Sequence, residues 1–129
     1  MAYHILFVAI KLFACIPFRF LYAISDAMFY ITYYVVRYRR TLVRKNLSSS
    51  FPGKSKNEII DIEKKFYHYF TDLILETIKL SSISPEELMK RMKFTNIEEV
   101  NTKQREGRSV SLFLGHYGNW EWVSSLPLW

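Results

Sequence analysis

A single cysteine, Cys15, is the only thiol in the chain, so no intrachain disulfide can staple it and no cysteine-based metal site can form. Acids are nearly missing from the first fifty residues. There Asp26 stands alone against Lys11, Arg19, Arg37, Arg39, Arg40, Arg44 and Lys45, whereas residues 51–129 hold eleven cations and eleven anions. The whole net charge of +6 therefore belongs to the first fifty residues. The sequence also lacks a clean uncharged run of the roughly 20 apolar residues that a simple membrane span needs. Its most apolar part, residues 5–36, is interrupted by Lys11, Arg19 and Asp26. No basic segment precedes that run and no small-x-small site ends it, which argues against a cleaved signal peptide. Internal repeats and low-complexity tracts are missing as well, and the length suits about one domain, short for a complete α/β enzyme.

The interrupted apolar run still carries a pattern. On one straight helix Lys11, Asp26 and Arg19 fall at about 0°, 60° and 80°, with His4 near 20°. A narrow polar stripe on a broad apolar surface suits a helix half immersed in lipid, or a spanning helix whose stripe faces protein, with Pro17 as a site for a kink. R-Y-R-R-T-L-V-R-K-N-L follows directly. Basic residues just past an apolar segment favour the cytoplasmic side, and near anionic lipid each adds up to ~1 kcal/mol of attraction. Nucleic acid could use the same charges, but adjacency to an apolar helix favours lipid head groups over it. The chain thus divides into 1–50, a hydrophobic membrane anchor with a basic segment, and 51–129.

After the break F-P-G at 51–53, the residues predict a long amphipathic helix. Ser55 and Glu58 fit a capping box, and Ile59, Ile62, Phe66, Phe70, Leu73 and Ile74 recur at helical spacing. Its His68 has Asp72 as the nearest acid on its turn. Ser84, Pro85 and Glu87 signal a second, short helix ending near Met92. Beyond it the expectation is a brief strand at Phe94–Asn96, a helix from Ile97 to Glu106 closed by Gly107, and a buried strand from Ser109 to Leu114. Strand, helix, strand, helix implies α/β architecture: an N-terminal hydrophobic helix and helical region, then the start of an incomplete parallel sheet with crossover helices. Active sites on such sheets lie at the carboxyl ends of strands.

His116 falls at such an end, in S-L-F-L-G-H-Y-G-N-W-E-W at 111–122. Glu121, five positions on, is about 140° away on a helix and on the opposite face of a strand. The two meet only if the chain turns between them. Gly115 and Gly118 permit a tight turn, and Asn119 predicts the N-cap of a following helix with Glu121 in its first turn, where the helix dipole favours the anion. A carboxylate beside the imidazole would orient it and stabilise its protonated form, making His116 a general base. Two ligands without a third histidine or cysteine fall short of the usual zinc sets. Trp120 and Trp122 suit core or lipid.

G-H-Y-G-N-W-E resembles the signature of the lipid A biosynthesis acyltransferases, the lauroyl and myristoyl transferases, a membrane-bound branch of the glycerolipid acyltransferase superfamily. Two further segments carry the likeness: R-R-T-L-V-R-K-N-L-S-S-S-F-P at 39–52 and E-G-R-S-V-S-L-F-L at 106–114. Members are longer, so the chain is expected to be the N-terminal part of such a protein, with 51–129 beginning its catalytic domain. The resemblance implies transfer of a fatty acyl group from an acyl carrier protein thioester to a hydroxyl of a lipid A precursor, or of another glycolipid, at the cytoplasmic face of the bacterial inner membrane. No cofactor, metal or nucleic acid is implied. His116 and Glu121 would be catalytic. Arg39, Arg40 and Arg44 would bind substrate, as would Gly115 and Gly118, whose backbone N–H groups are candidate oxyanion donors. The rival expectation is a membrane-associated fragment without turnover.

Overall fold

The computed structural model describes residues 2–129 and, among them, contains helices and no strand. Six α-helices run in chain order: α1 (Ala2–Ala14), α2 (Phe18–Tyr30), α3 (Arg40–Ser50), α4 (Lys56–Leu80), α5 (Pro85–Arg91) and α6 (Ile97–Arg105). A π-helical turn, Ile31–Val36, prolongs α2, and a 3₁₀ helix, Trp120–Leu128, closes the order. The expected α/β sheet is therefore not formed. Ser109–Leu114 is extended but solvent-exposed, with Phe113 95% accessible. A strand satisfies its backbone only through a neighbouring strand, unlike a helix, which bonds within itself. No other described segment offers that ladder. Phe94–Asn96 fails for the same reason and because it is too short: Asn96 adopts a left-handed φ of 61° and turns the chain into α6.

The apolar N-terminal run is not one straight helix either. α1 stops at Ala14, and Pro17 lacks the N–H a continuing helix would need. The two apolar arms, Tyr3–Ala14 and Phe18–Val36, are bent by 110°. No single described helix is long and apolar enough to cross a membrane. The bend dissolves the expected polar stripe. Lys11 donates to the Ser81 carbonyl, Arg19 lies over Phe20, and Asp26 approaches His68 Nδ1 at 3.7 Å. Tyr3, Ile5, Leu6, Val8 and Leu12 of α1 remain exposed.

Helix α4 organises the rest. Its N-terminus is the expected capping box: Ser55 Oγ accepts from Glu58 N–H, and the Glu58 carboxylate accepts from Ser55 N–H at 2.9 Å. Those hydrogen bonds, from the Ser55 backbone first and its hydroxyl next, hold the Glu58 carboxyl down at about 2. The buried residues of α4 are Ile59, Glu63, Tyr67, Thr71, Leu75 and Lys79, a strict repeat of four. Each step of four advances about 40° around a helix of 3.6 residues per turn, so the buried line spirals and faces a new neighbour at each step. Glu63 meets α3, Tyr67 stacks edge-on against Tyr33 of the π-turn, Leu75 joins the cluster of Phe18, Leu21, Leu88 and Trp122, and Lys79 reaches the end of α1. The expected face, with Phe66 in it, is offset from the real one; Phe66 is 40% accessible.

Three of these six buried positions are polar, and each is satisfied. Glu63, fully buried, accepts from Arg44 Nε at 2.7 Å, Arg44 Nη2 at 2.9 Å and Arg40 Nε at 3.3 Å. Thr71 Oγ1 donates back to the Tyr67 or His68 carbonyl. Lys79 Nζ donates to the carbonyls of Ala14 at 2.5 Å and Ile16 at 3.1 Å, caring for the end of α1, which would otherwise leave its last carbonyls unpaired.

Candidate active site

The segment carrying His116 is anchored at its C-terminal side. Trp122, 6% accessible, packs into the core with its ring centroid 6.3 Å from that of Phe18. Asn119 stands at the N-cap of the following helix as expected, but its side chain does not cap it. Its Nδ2 donates instead to Glu76 Oε2 of α4 at 2.5 Å, and the other oxygen, Glu76 Oε1, accepts from Tyr22 of α2 at 2.7 Å. One carboxylate thus ties the loop to two helices. Because Nδ2 must face that acceptor, the Asn119 amide orientation is fixed, and its Oδ1 is left buried without a partner, as is Trp122 Nε1. Glu76 was not singled out in the sequence; a carboxylate next to buried Leu75 on an otherwise apolar stretch was the only signal available.

Between the anchor and the extended segment the chain turns tightly. Tyr117 N–H donates to the Gly115 carbonyl at 2.9 Å, and Gly118 takes a φ of +62°, a conformation L-residues adopt only with strain. Gly115 and Gly118 both have open space where a side chain would sit. The turn leaves His116 exposed, its ring 4.6 Å from and edge-on to that of Trp120. Glu121 is half-buried in the first turn of the 3₁₀ helix, as the sequence led us to expect, although the helix is 3₁₀ and not α. Among the described residues no hydrogen bond or ion pair joins His116 to Glu121.

A cavity of about 620 Å³ opens beside this loop. Its wall combines Gly115, Tyr117, Asn119 and Trp120 of the motif with Tyr22, Glu76 and Arg91 of three helices. Arg91 is paired with Glu87 at 2.7 Å and lies over the Phe18 ring at 3.6 Å, so it brings a cation to an aromatic wall. The cavity thus sets the Arg91 cation and the Glu76 carboxylate, whose oxygens already accept from Tyr22 and Asn119, beside the loop that carries His116.

The basic segment is divided by the fold. Arg40 and Arg44 converge on Glu63, whereas Arg39, with φ +52°, turns to the other side of α3 and lines a groove with Tyr38, Leu42, Phe66 and Phe70. The three arginines that the sequence grouped as one substrate-binding set do not share a face. His68 stacks on Phe29 at 3.6 Å and approaches Asp26 at 3.7 Å, and it does not line the cavity beside the motif loop. Among the described residues no three metal-ligating side chains cluster.

The molecule is helical, with exposed apolar arms at its N-terminus and an exposed histidine loop beside a cavity. The description "Bacterial lipid A biosynthesis acyltransferase" matches residues 2–126, and the chain belongs to that family. Comparison with curated proteins and with solved structures gives no match. Family membership makes the protein one of a membrane-associated group of acyltransferases.

Proposed function

We propose that the protein takes part in O-acyl transfer from an acyl carrier protein thioester to a hydroxyl of a lipid A precursor at the cytoplasmic face of the inner membrane. The observation that carries this reading is the family match over residues 2–126, which includes G-H-Y-G-N-W-E. His116 takes the proton of the acceptor hydroxyl as its oxygen attacks the thioester carbonyl. The carbon–sulfur bond of the resulting tetrahedral intermediate then breaks, and the departing thiolate takes the proton back from the imidazolium. No covalent acyl-enzyme forms. This reading requires Glu121, which among the described residues makes no hydrogen bond or ion pair with His116, to close on the ring and stabilise its charged form, and it leaves backbone N–H groups near Gly115 and Gly118 as the candidate donors to the developing oxyanion. The bent apolar arms hold residues 1–50 at the bilayer, and 51–129 lies on the cytoplasmic side with the first part of the catalytic domain.

One observation favours a second reading, a membrane-associated chain without turnover. Phe113 and Tyr117, flanking the motif, are 95% and 92% accessible, so the loop has few contacts to hold a catalytic geometry. Mass analysis of lipid A from cells lacking the gene decides between the two. Acyl transfer predicts loss of one acyl chain per lipid A, restored by the wild-type gene and not by His116→Ala. Unchanged lipid A contradicts it, and a missing acyl chain on a different glycolipid would move the acceptor while keeping the chemistry.

A further inference from the structure

Arg37, Arg40, Thr41, Arg44, Lys45 and Ser48 line a surface groove of about 360 Å³. Arg40, Arg44 and Ser48 recur every four residues along α3, with Thr41 and Lys45 one position on from the first two, so these five share one side of the helix, and Arg37 joins them from the turn that precedes it. Four are cations, and the carboxylate beneath them is Glu63 alone. Glu63 does more than neutralise. It takes Nε of Arg40 and both Nε and Nη2 of Arg44, while Arg40 Nη1 is spent on the Tyr33 carbonyl at 3.2 Å. Among the described residues, Nη2 of Arg40, Nη1 of Arg44 and Nζ of Lys45 make no hydrogen bond, nor do the hydroxyls of Thr41 and Ser48. The guanidiniums are thus fixed from below with donors to spare.

Two further facts say what the groove is for. α3 starts with no side-chain cap and no acid in its first turn, and although Arg40 N–H reaches the Arg37 carbonyl at 3.3 Å, the positive dipole end adds to potential that cations already raise. Like charges this close oppose one another until an anion joins them. The groove also follows directly on Tyr34, Val35 and Val36, which end the π-turn exposed. If that apolar edge enters acyl chains, the groove lies at the level of lipid head groups.

We propose that this groove binds the phosphate group of a membrane lipid, with Arg40 and Arg44, steadied by Glu63, as its floor and Thr41, Lys45 and Ser48 as its rim. Arg39 has no part in it. The proposal rests on the membrane placement above and not on catalysis by His116, and a binding measurement without turnover separates the two.

The test is flotation of the full chain with phosphatidylcholine vesicles that are neutral, or carry phosphatidate, or carry phosphatidylserine at matched surface charge. Charge-assisted hydrogen bonds to a phosphate monoester predict about tenfold more protein on phosphatidate than on phosphatidylserine vesicles. Thr41→Ala with Lys45→Ala removes that preference and leaves binding to neutral vesicles unchanged. Lys64→Ala with Lys65→Ala, on α4, keeps it. Thr41 and Lys45 are exposed, so the double variant retains its helical circular dichroism, and Lys45→Gln alone gives a second, partial loss. Equal binding to both anionic vesicles would reduce the groove to diffuse charge and overturn the site. Inorganic phosphate binding the protein as tightly as phosphatidate would overturn the lipid assignment in favour of a soluble ligand. Displacement from phosphatidate vesicles by a single-stranded oligonucleotide at equal phosphate would overturn it in favour of nucleic acid.

Discussion

The spiral face of α4 and the motif segment 109–129 are built on opposite principles. Along α4 every buried polar side chain finds partners: Glu63 two arginines, Thr71 its own helix, Lys79 two carbonyls of the α1–α2 bend. In the motif segment the extended stretch is exposed, and two buried polar atoms, Asn119 Oδ1 and Trp122 Nε1, have no partner. The difference separates a scaffold, in which polar burial specifies which helix meets which turn, from a presenting loop held by one carboxylate and one indole.

The largest effect expected from breaking the scaffold comes from Arg40→Leu combined with Arg44→Leu. It strands the Glu63 carboxylate in the core and should cost about 3–5 kcal/mol, read as loss of helicity in detergent at lower denaturant. Glu63→Leu should cost clearly less, because Arg40 and Arg44, whose side chains are 25% and 37% accessible, can turn their charge to water. Equal losses in the two variants would mean that Glu63 is not the buried member that matters.

Next in size is Lys79→Met, which keeps the apolar stem and deletes the ammonium. The Ala14 and Ile16 carbonyls lose their donor, and the expected loss of about 1–3 kcal/mol should be accompanied by faster hydrogen exchange in α1 and the start of α2, with the motif loop unaffected. Exchange that rises uniformly would show that the bend is not a local unit.

Much of the scaffold was legible before the structure, and the motif's surroundings were not. The Ser55–Glu58 box, the Ser84–Pro85 start and Gly107 as a helix end depend on neighbours within a few residues, and all three are present: Ser84 Oγ accepts from Glu87 N–H, and Gly107, at φ +71°, lets Arg108 N–H reach the Lys103 carbonyl. The buried face of α4 departs from the expected one because Glu63, Thr71 and Lys79 are polar; the partners of Glu63 and Lys79 lie 19 to 65 residues away in the chain, and Thr71 bonds back to its own helix. The same remoteness hid Glu76, whose partners are Tyr22 and Asn119. Ser109–Leu114 has a strand's composition, but composition cannot supply the second strand that a ladder requires.

Acid should expose the scaffold's electrostatics. Burial alone would push the Glu63 carboxyl up, but hydrogen bonds from Arg44 and Tyr33, with the Arg44 charge, outweigh it and hold it below the ordinary range. The folded value lies under the unfolded one near 4.3. Its stabilisation is therefore complete above about pH 4.3 and is lost as pH falls through the lower folded value. Glu63→Gln should flatten that acid limb of a thermal-melt series, and an unchanged limb would assign it to other carboxylates.

A smaller change sharpens the view of the loop. Gly118→Ala meets open space but a φ of +62°, so it should cost about 1 kcal/mol through backbone strain alone. Helicity should stay intact while the Trp120 fluorescence environment shifts, since that ring packs beside His116. No spectral shift would show that the turn does not set the loop's shape.

Acyl transfer at this loop, with His116 as the base, is the proposed activity. Its most direct test is the rate of acyl transfer from a carrier-protein thioester to a lipid A precursor by purified membrane-associated protein, wild type against His116→Ala, with circular dichroism confirming the fold. A general base contributes about 10² to 10⁴ in rate, so the account predicts a loss of at least a hundredfold with helicity unchanged. A well-folded His116→Ala protein within threefold of wild type would contradict it.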